Sequence, residues 1–485
     1  MRQRFYIPCV LLLTTLVALA WKAADKPDDT NAASVTAFGA KGDGFTDETA
    51  AIQRAVDQSR AGLVEFPRGT YRITRTIEIK LGERGVTGLT GRGGVGRVVM
   101  AGPGPAFRFV GTHTGSADPA SFKPAVWDRE RMPTLEGLEI VGDHPEADGV
   151  EFVRVMQPTL TRVLIREVRH GVHLVERNRN LLMDACHIFN CRGVGVFFDR
   201  VNLHQANVVG CHISYCKAGG IKVVGSEIRN LQISGCDIEY NYDPKAAESA
   251  DVCIDSTEGS VREGAIVGCT IQAKISPGGA NLRLLGPADV NKVSMFAITG
   301  NHISNQEVNV HLKNCRGIVL SGNSLALSNR RNVLIEGSRH IVVGPHALDH
   351  NPDYKKMGDV VDGVSLRDCD GCSLTGVLVE GAVAGSEKKG GAIEVLGCRE
   401  TTLSGCQVFE PRWRGIVIAD SRNTRVTGCT VMDRTGKPTL LVGVEVSGAS
   451  KGTRIAGNLI DRGTKGDVVL PEGAGSTDDN RQPAR

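Results

Sequence analysis

The sequence predicts an all-β solenoid, one elongated domain of stacked coils, and three observations carry that prediction. A short phrase recurs as Ala185-Cys186-His187-Ile188, Gly210-Cys211-His212-Ile213 and Gly235-Cys236-Asp237-Ile238, with starts 25 residues apart, and it returns at looser spacing through Gly457-Asn458-Leu459-Ile460. A period of this length with one short strand per unit marks a repeat that buries its apolar face only against stacked neighbours. Aligning the copies on Cys or Asn gives an apolar column three residues before (Met183, Val208, Ile233, Ile266, Ile298, Leu320) and another two residues after (Ile188, Ile213, Ile238, Ile271, Ile303, Leu325). Composition agrees: 59 glycines and only 5% aromatic residues suit many tight turns around stacked Val, Ile and Leu.

Each column has a physical role. The apolar columns face inward, and because side chains alternate along a strand the residue between them faces out. That outer stripe reads His187, His212, Asp237, Thr270, His302, Ser324. The small residue before each Cys or Asn suits a tight bend. The Cys and Asn column itself reads as structural, buried thiols and a ladder of amides at the turns. Most of the 14 cysteines are therefore expected free and buried, although disulfides are the usual reading of a cysteine-rich secreted chain. Cys369-x-x-Cys372 is a weak metal or redox signal, with no second pair or nearby His to complete a zinc set.

In chain order, Arg2 and Arg4 precede an apolar run from Phe5 to Trp21 that ends near Ala18-Leu19-Ala20. Residues 1–24 read as a signal peptide cleaved after Ala20 or Ala24, with a retained anchor as the alternative. The expected destination is secreted, periplasmic or cell-surface, with no stable membrane association after cleavage. Residues 25–34 read as a linker. Thr46 or Asp47 can cap a helix carrying Ala51, Ile52, Ala55 and Val56 at helical spacing and ending near Ser59, and such a helix would cover the open end of the solenoid. The glycines from 91 to 96 have the composition of a phosphate loop without the Lys that completes one. Net charge of +3 from 57 basic and 54 acidic residues, with no basic stripe interleaved by aromatics, excludes nucleic acid as a partner. The coils are expected to run from 35 to 470, followed by a disordered tail over 471–485.

Three stretches then carry a family resemblance: Phe38-Gly39-Ala40-Lys41-Gly42-Asp43-Gly44, Thr46-Asp47-Glu48-Thr49-Ala50-Ala51-Ile52 and Phe66-Pro67-Arg68-Gly69-Thr70-Tyr71. This opening resembles that of the pectate-lyase superfamily, the right-handed parallel β-helix proteins related to rhamnogalacturonase, polygalacturonase and certain sugar epimerases. The resemblance covers about 40 residues directly. It implies a right-handed parallel β-helix with an N-terminal capping helix, and a secreted protein acting on a polysaccharide, often an acidic one. It does not fix the reaction. Asp43 and Asp47 read as turn and cap residues.

Where the interval lengthens, to 33 residues between Ile238 and Ile271 and 32 between Ile271 and Ile303, the extra chain must form loops on one face. Asp237 and Glu239 lie two apart on a strand and so share the outer face, with His212 one coil away; these three are the catalytic candidates. Tyr240 and Tyr242 could stack on sugar rings. Arg412 beside Trp413 could bind an acidic sugar. A lyase would use calcium or an arginine to neutralise a uronate carboxylate, and Asp243, Asp251 and Asp255 could supply calcium ligands, with Arg229 or Arg262 as the cation. His346, Asp349, His350 and Asp353 could gather a divalent ion but read first as a surface turn. The coils lack the Asp-Asp pair and Gly-His-Gly phrase of polygalacturonase-like hydrolases, which favours lyase or epimerase chemistry on a uronate-containing glycan. A glycoside hydrolase, or a non-catalytic carbohydrate-binding β-helix, is the alternative. An enzyme should bring Asp237, Glu239 and His212 together in a groove walled by loops 240–265 and 345–360.

Overall fold

The computed structural model describes residues 32–115, 118–349, 351–354, 360–437 and 439–484. The expected signal peptide, most of the linker and His350 lie outside the described residues. Within them the chain winds into about sixteen coils of parallel strands, recorded as one sheet of 30 strands and another of 16. Most complete coils contribute three strands, and in two of them a single long strand, Val172–Asp184 or Val196–Val209, covers the first two faces. In a representative coil these are Ile221–Val224 on a first face, Glu227–Ser234 on a second and Asp237–Glu239 on a third. They pair in parallel with Ala250–Asp255, Ser260–Val267 and Thr270–Gln272 of the next coil, Ile238 opposite Ile271.

The columns fall as the period predicts. Ile188, Ile213, Ile238, Ile271 and Ile303 are fully buried, as are Met183, Val208, Ile233, Ile266 and Ile298, each burial contributing roughly 1.5–3 kcal/mol. The bend residues Ala185, Gly210, Gly235, Gly268, Gly300 and Gly322 all have φ between 50° and 67°, the left-handed region that glycine enters without strain. Behind them runs the ladder. Asn301 Oδ1 accepts from Cys269 N at 2.9 Å, and Asn323 Oδ1 accepts from Asn301 N at 2.9 Å, so each coil satisfies an otherwise orphaned backbone donor of the one before. His346 takes the same position, its Nδ1 accepting from Asn323 N at 3.1 Å; it is a ladder residue and not a metal ligand, and burial pushes its pKa down to about 4. All thirteen cysteines among the described residues are free and buried, with thiols bonding carbonyls such as Val209 O from Cys211 at 3.3 Å.

The cap is a helix, Thr49–Gln58, whose Ala51, Ile52, Ala55 and Val56 close the end of the core. The N-cap position is Glu48 and not Thr46 or Asp47 as expected; Asp47, one residue before it, accepts from Thr49 N at 3.1 Å, and Asp43 accepts from Phe45 N and Thr46 N at 2.9 and 2.8 Å, the turn role expected of it. Those turn bonds lower Asp43 to about 2. The glycines of 91–96 form the turn between Gly88–Thr90 and Gly96–Met100.

Both ends of the solenoid reach further than expected. Ala33–Ser34 already pairs with Leu63–Glu65. The 471–485 stretch, expected to be a disordered tail, instead carries the strand Gly475–Asp478 against Thr453–Ala456, and Asn480 Oδ1 accepts from Asn458 Nδ2 at 2.8 Å as a last ladder step. One asparagine in register orders a segment whose composition is that of a tail. No helix among the described residues is long and apolar enough to cross a membrane.

Candidate active site

In-register pairing of the third face sets His212 opposite Asp237 and Ser214 opposite Glu239, then Asp237 opposite Thr270 and Glu239 opposite Gln272. Side chains on one face of neighbouring strands are therefore about 4.8 Å apart before they bend toward each other. His212 Nε2 lies 3.7 Å from Glu239 Oε1 and 3.9 Å from Asp237 Oδ2, and one ligand atom from each of the three falls within 4.8 Å of the others. Gln272 Nε2 donates to Glu239 Oε2 at 2.7 Å. Burial and the neighbouring Glu239 charge hold the Asp237 carboxyl above the usual carboxylate range. Among the described residues neither acid has an ion pair with Arg or Lys.

Beside this trio the chain turns a corner at Tyr215 and Tyr240, both at positive φ, and their rings stack with centroids 5.5 Å apart and planes 6° from parallel. Tyr215 is 55% exposed, so the pair offers an aromatic edge to solvent. The corner is rigid underneath. Buried Asn241 donates from Nδ2 to Ile213 O and Asp251 Oδ1 at 2.9 and 3.1 Å, and accepts from Cys216 N at 3.0 Å. Tyr242 is half-buried and near enough to Tyr240 to add to the upward shift that burial and Glu239 give its phenol.

The other sequence candidates do not join this site. Asp251 is fully buried, accepting from Asn241 and from Asn281 Nδ2 at 3.1 Å, and burial raises it to about 8; it fixes the corner and is not a surface metal ligand. Asp243 accepts from Lys245 N at 2.9 Å and Asp255 from Thr257 N at 3.1 Å, so each closes its own turn. These three acids make no calcium cage. The His212 trio, with an imidazole nitrogen and two carboxylates, is not a calcium donor set either. Arg229 faces Ser260 O on the second face, opposite Arg262, and serves no third-face carboxylate. Arg412 stacks on Trp413 at 5.1 Å, but the adjoining strand Gln407–Phe409 is six rungs from Asp237, about 29 Å along the axis. The strand His346–Leu348 is four rungs away, about 19 Å along the axis.

Two matches with known families accompany this geometry. Residues 32–120 match the family described as rhamnogalacturonase A/epimerase, pectate lyase-like, and residues 125–271 and 355–480, over half of the chain, match the right-handed β-helix region. The chain belongs to the right-handed β-helix family. No curated protein matches its sequence. Solved structures similar to it include tailspike protein 3 of bacteriophage CBA120, 14% identical over 93% of this chain and 61% of that one with a TM-score of 0.46. The tailspike gp49 of Pseudomonas phage LKA1 is 12% identical over 93% and 83% (TM-score 0.48), and the AlgE6 A-module, a mannuronan C-5 epimerase of Azotobacter vinelandii, 15% over 93% and 99% (TM-score 0.33). The chain spans less than two-thirds of the CBA120 tailspike and 59% of ORF18 of Geobacillus virus E2.

This β-helix also assembles groups that the sequence reading missed. Tyr215 precedes Tyr240 by one 25-residue period, so the repeat could have supplied it; Gln272 follows Glu239 by one coil in the same way. On the first face His173 bridges Glu151 and Asp199 at 3.3 Å each and stacks on Phe197 at 5.2 Å. Burial pulls His173 down, but the bonds and charges of the two carboxylates outweigh it and hold it above the ordinary histidine value. Arg108 Nε completes that network on Glu151 at 2.5 Å. On the third face, Glu380 and Glu410 meet under Arg434, which donates to both. Neither cluster repeats a motif; each depends on how coils of unequal length align.

Proposed function

We propose that this β-helix is an extracytoplasmic, carbohydrate-active enzyme that moves a proton on an acidic, uronate-containing glycan, most simply as a polysaccharide lyase. The observation that carries the reading is the meeting of His212, Asp237 and Glu239 beside the Tyr215–Tyr240 stack. Asp237, whose carboxyl pKa burial and the Glu239 charge raise, is the group suited to give a proton, and an imidazole at 3.7–3.9 Å is a base within reach of the same bound sugar. In elimination His212 would take the proton beside the uronate carboxylate, the glycosidic C–O bond would break as the ring double bond forms, and Asp237 would protonate the departing oxygen. Epimerisation would use the same abstraction with return of a proton to the other ring face. The stacked tyrosines would bind a pyranose face. Two-carboxylate hydrolysis fits less well, since Asp237 and Glu239 bring carboxylate oxygens within 4.8 Å of each other, whereas hydrolases hold their carboxyl groups about 5–5.5 or 6.5–9.5 Å apart. Export is supported by the apolar N-terminal run.

A carbohydrate-binding protein without turnover is the second reading, and the openness of the face favours it: the Asp237 side chain is 49% exposed. One assay separates the two. Wild type and D237N are incubated with polyuronates and neutral glycans while unsaturated-uronate absorbance and reducing ends are followed together. Both signals rising for wild type and not for D237N support the lyase. Reducing ends alone indicate hydrolysis. Binding with neither signal leaves epimerisation, read by proton exchange from heavy water, or binding alone.

A further inference from the structure

A second concave site lies away from this trio. It is a groove of about 900 Å³ on the first face, in the range of ligand sites, between the chain at 329–331 and 361 and the loop 385–390. Its floor is apolar, from Leu396, Val417 and Ala419, and its wall is strongly basic. Arg330, Arg331, Arg367, Lys388 and Lys389 line it against only two acids, and both acids are spoken for. Glu394, 5% exposed, accepts from Arg331 Nη2 at 2.6 Å and Ser365 Oγ at 2.9 Å; Glu445 accepts from Arg414 Nε at 2.5 Å. Among the described residues Arg330, Lys388 and Lys389 have no ion-pair partner.

The basic loop is held in place before any ligand arrives. Arg414, 4% exposed, donates from Nη1 to Ser386 O at 2.9 Å and from Nη2 to Glu387 O at 3.0 Å, fastening the loop to the sheet. Arg331 Nε and Asn329 Oδ1, both in the lining, are buried without a hydrogen-bond partner, an uncommitted donor and acceptor at the same wall. Fixed, unneutralised cations over an apolar floor recognise a ligand with anionic substituents and a flat carbon face. A nucleic acid would call for aromatic platforms, and the lining has none.

We infer that this groove is an anion-recognising subsite for a carboxylate-bearing segment of the glycan, with Arg330, Lys388 and Lys389 as its charge contacts. It rests on the glycan reading, but not on turnover at Asp237, which lies several rungs away along the axis. The test is calorimetry on the full chain with a galacturonate hexamer, its methyl ester and a sulfated neutral hexasaccharide. The acid hexamer should bind, more weakly as salt rises, and both the ester and the sulfated sugar at least tenfold more weakly. R330Q/K388Q/K389Q, all surface changes, should weaken acid-hexamer binding at least tenfold with unchanged melting. Equal affinity for acid and ester, tighter binding of the sulfated sugar, no binding by wild type, or an unaffected triple variant would each overturn the assignment. Hexamer binding that the triple variant weakens, in a wild type that shows no turnover, would leave this site standing while the lyase reading falls.

Discussion

Asp237 with Glu239, and Glu380 with Glu410, are two carboxylate pairs on the same sheet face, and what stands over each pair differs. Arg434 reaches Glu410 at 2.8 Å and Glu380 at 3.2 Å while lying 4.0 Å over the Phe409 ring. Its bonds hold Glu410 below the usual carboxylate range, while burial and the Glu410 charge raise Glu380. The first pair has no such fixed charge. Its neighbours are an imidazole and an amide, one able to exchange a proton and the other only to orient. A like-charge pair capped by arginine is a structural clamp; one without a fixed cation is available for chemistry.

The sharpest way to break this comparison is turnover. D237N or E239Q should lower kcat by about 10²-fold or more, while E380Q and E410Q should stay within about twofold. Equal losses in both pairs would remove the distinction. Next in size, Y215A and Y240A should each raise KM roughly tenfold, about 1.4 kcal/mol of binding, with little change in kcat; a kcat loss would instead tie the corner to positioning of the acids. Third, R434A should destabilise by about 1 kcal/mol in chemical denaturation, because it strands two carboxylates, whereas H212A should cost under about 0.5 kcal/mol. The smallest effect is on pH. Since the Asp237 pKa is raised in the folded chain, its contribution to stability is full below the unfolded value and is lost as pH rises through the folded one. Activity should fall over the same interval as the acid form disappears. D237N should flatten the stability profile, measured as melting temperature against pH.

The fold was legible because a solenoid writes its geometry into a period. The inward isoleucines, the left-handed glycines and the outer stripe each follow from one alignment of the copies. The His212–Asp237–Glu239 meeting was legible for the same reason, since all three lie in the 25-residue stretch where coils are of equal length. Legibility ended where lengths change. Asp251 read as a surface ligand because its loop is acidic, yet its side chain turns inward to Asn241. Trp413 and Arg412 looked like part of one site because sequence motifs carry no axial distance. The basic groove was invisible, since Arg331, Arg367 and Lys388 belong to coils whose loops differ in length and share no phrase.

The column of buried thiols has one more consequence. Cys186, Cys211, Cys236 and Cys269 sit on successive coils, and Cys406 and Cys429 on two more, each at most 2% exposed. None can meet a thiol reagent without its own coil parting from a neighbour. The folded chain therefore carries a built-in set of reporters, spaced one coil apart, whose individual alkylation rates would give the opening frequency of each turn. In a stack where every coil touches only its neighbours, those rates would show whether fraying starts at the helix-capped end or at Asn480, without any probe being added.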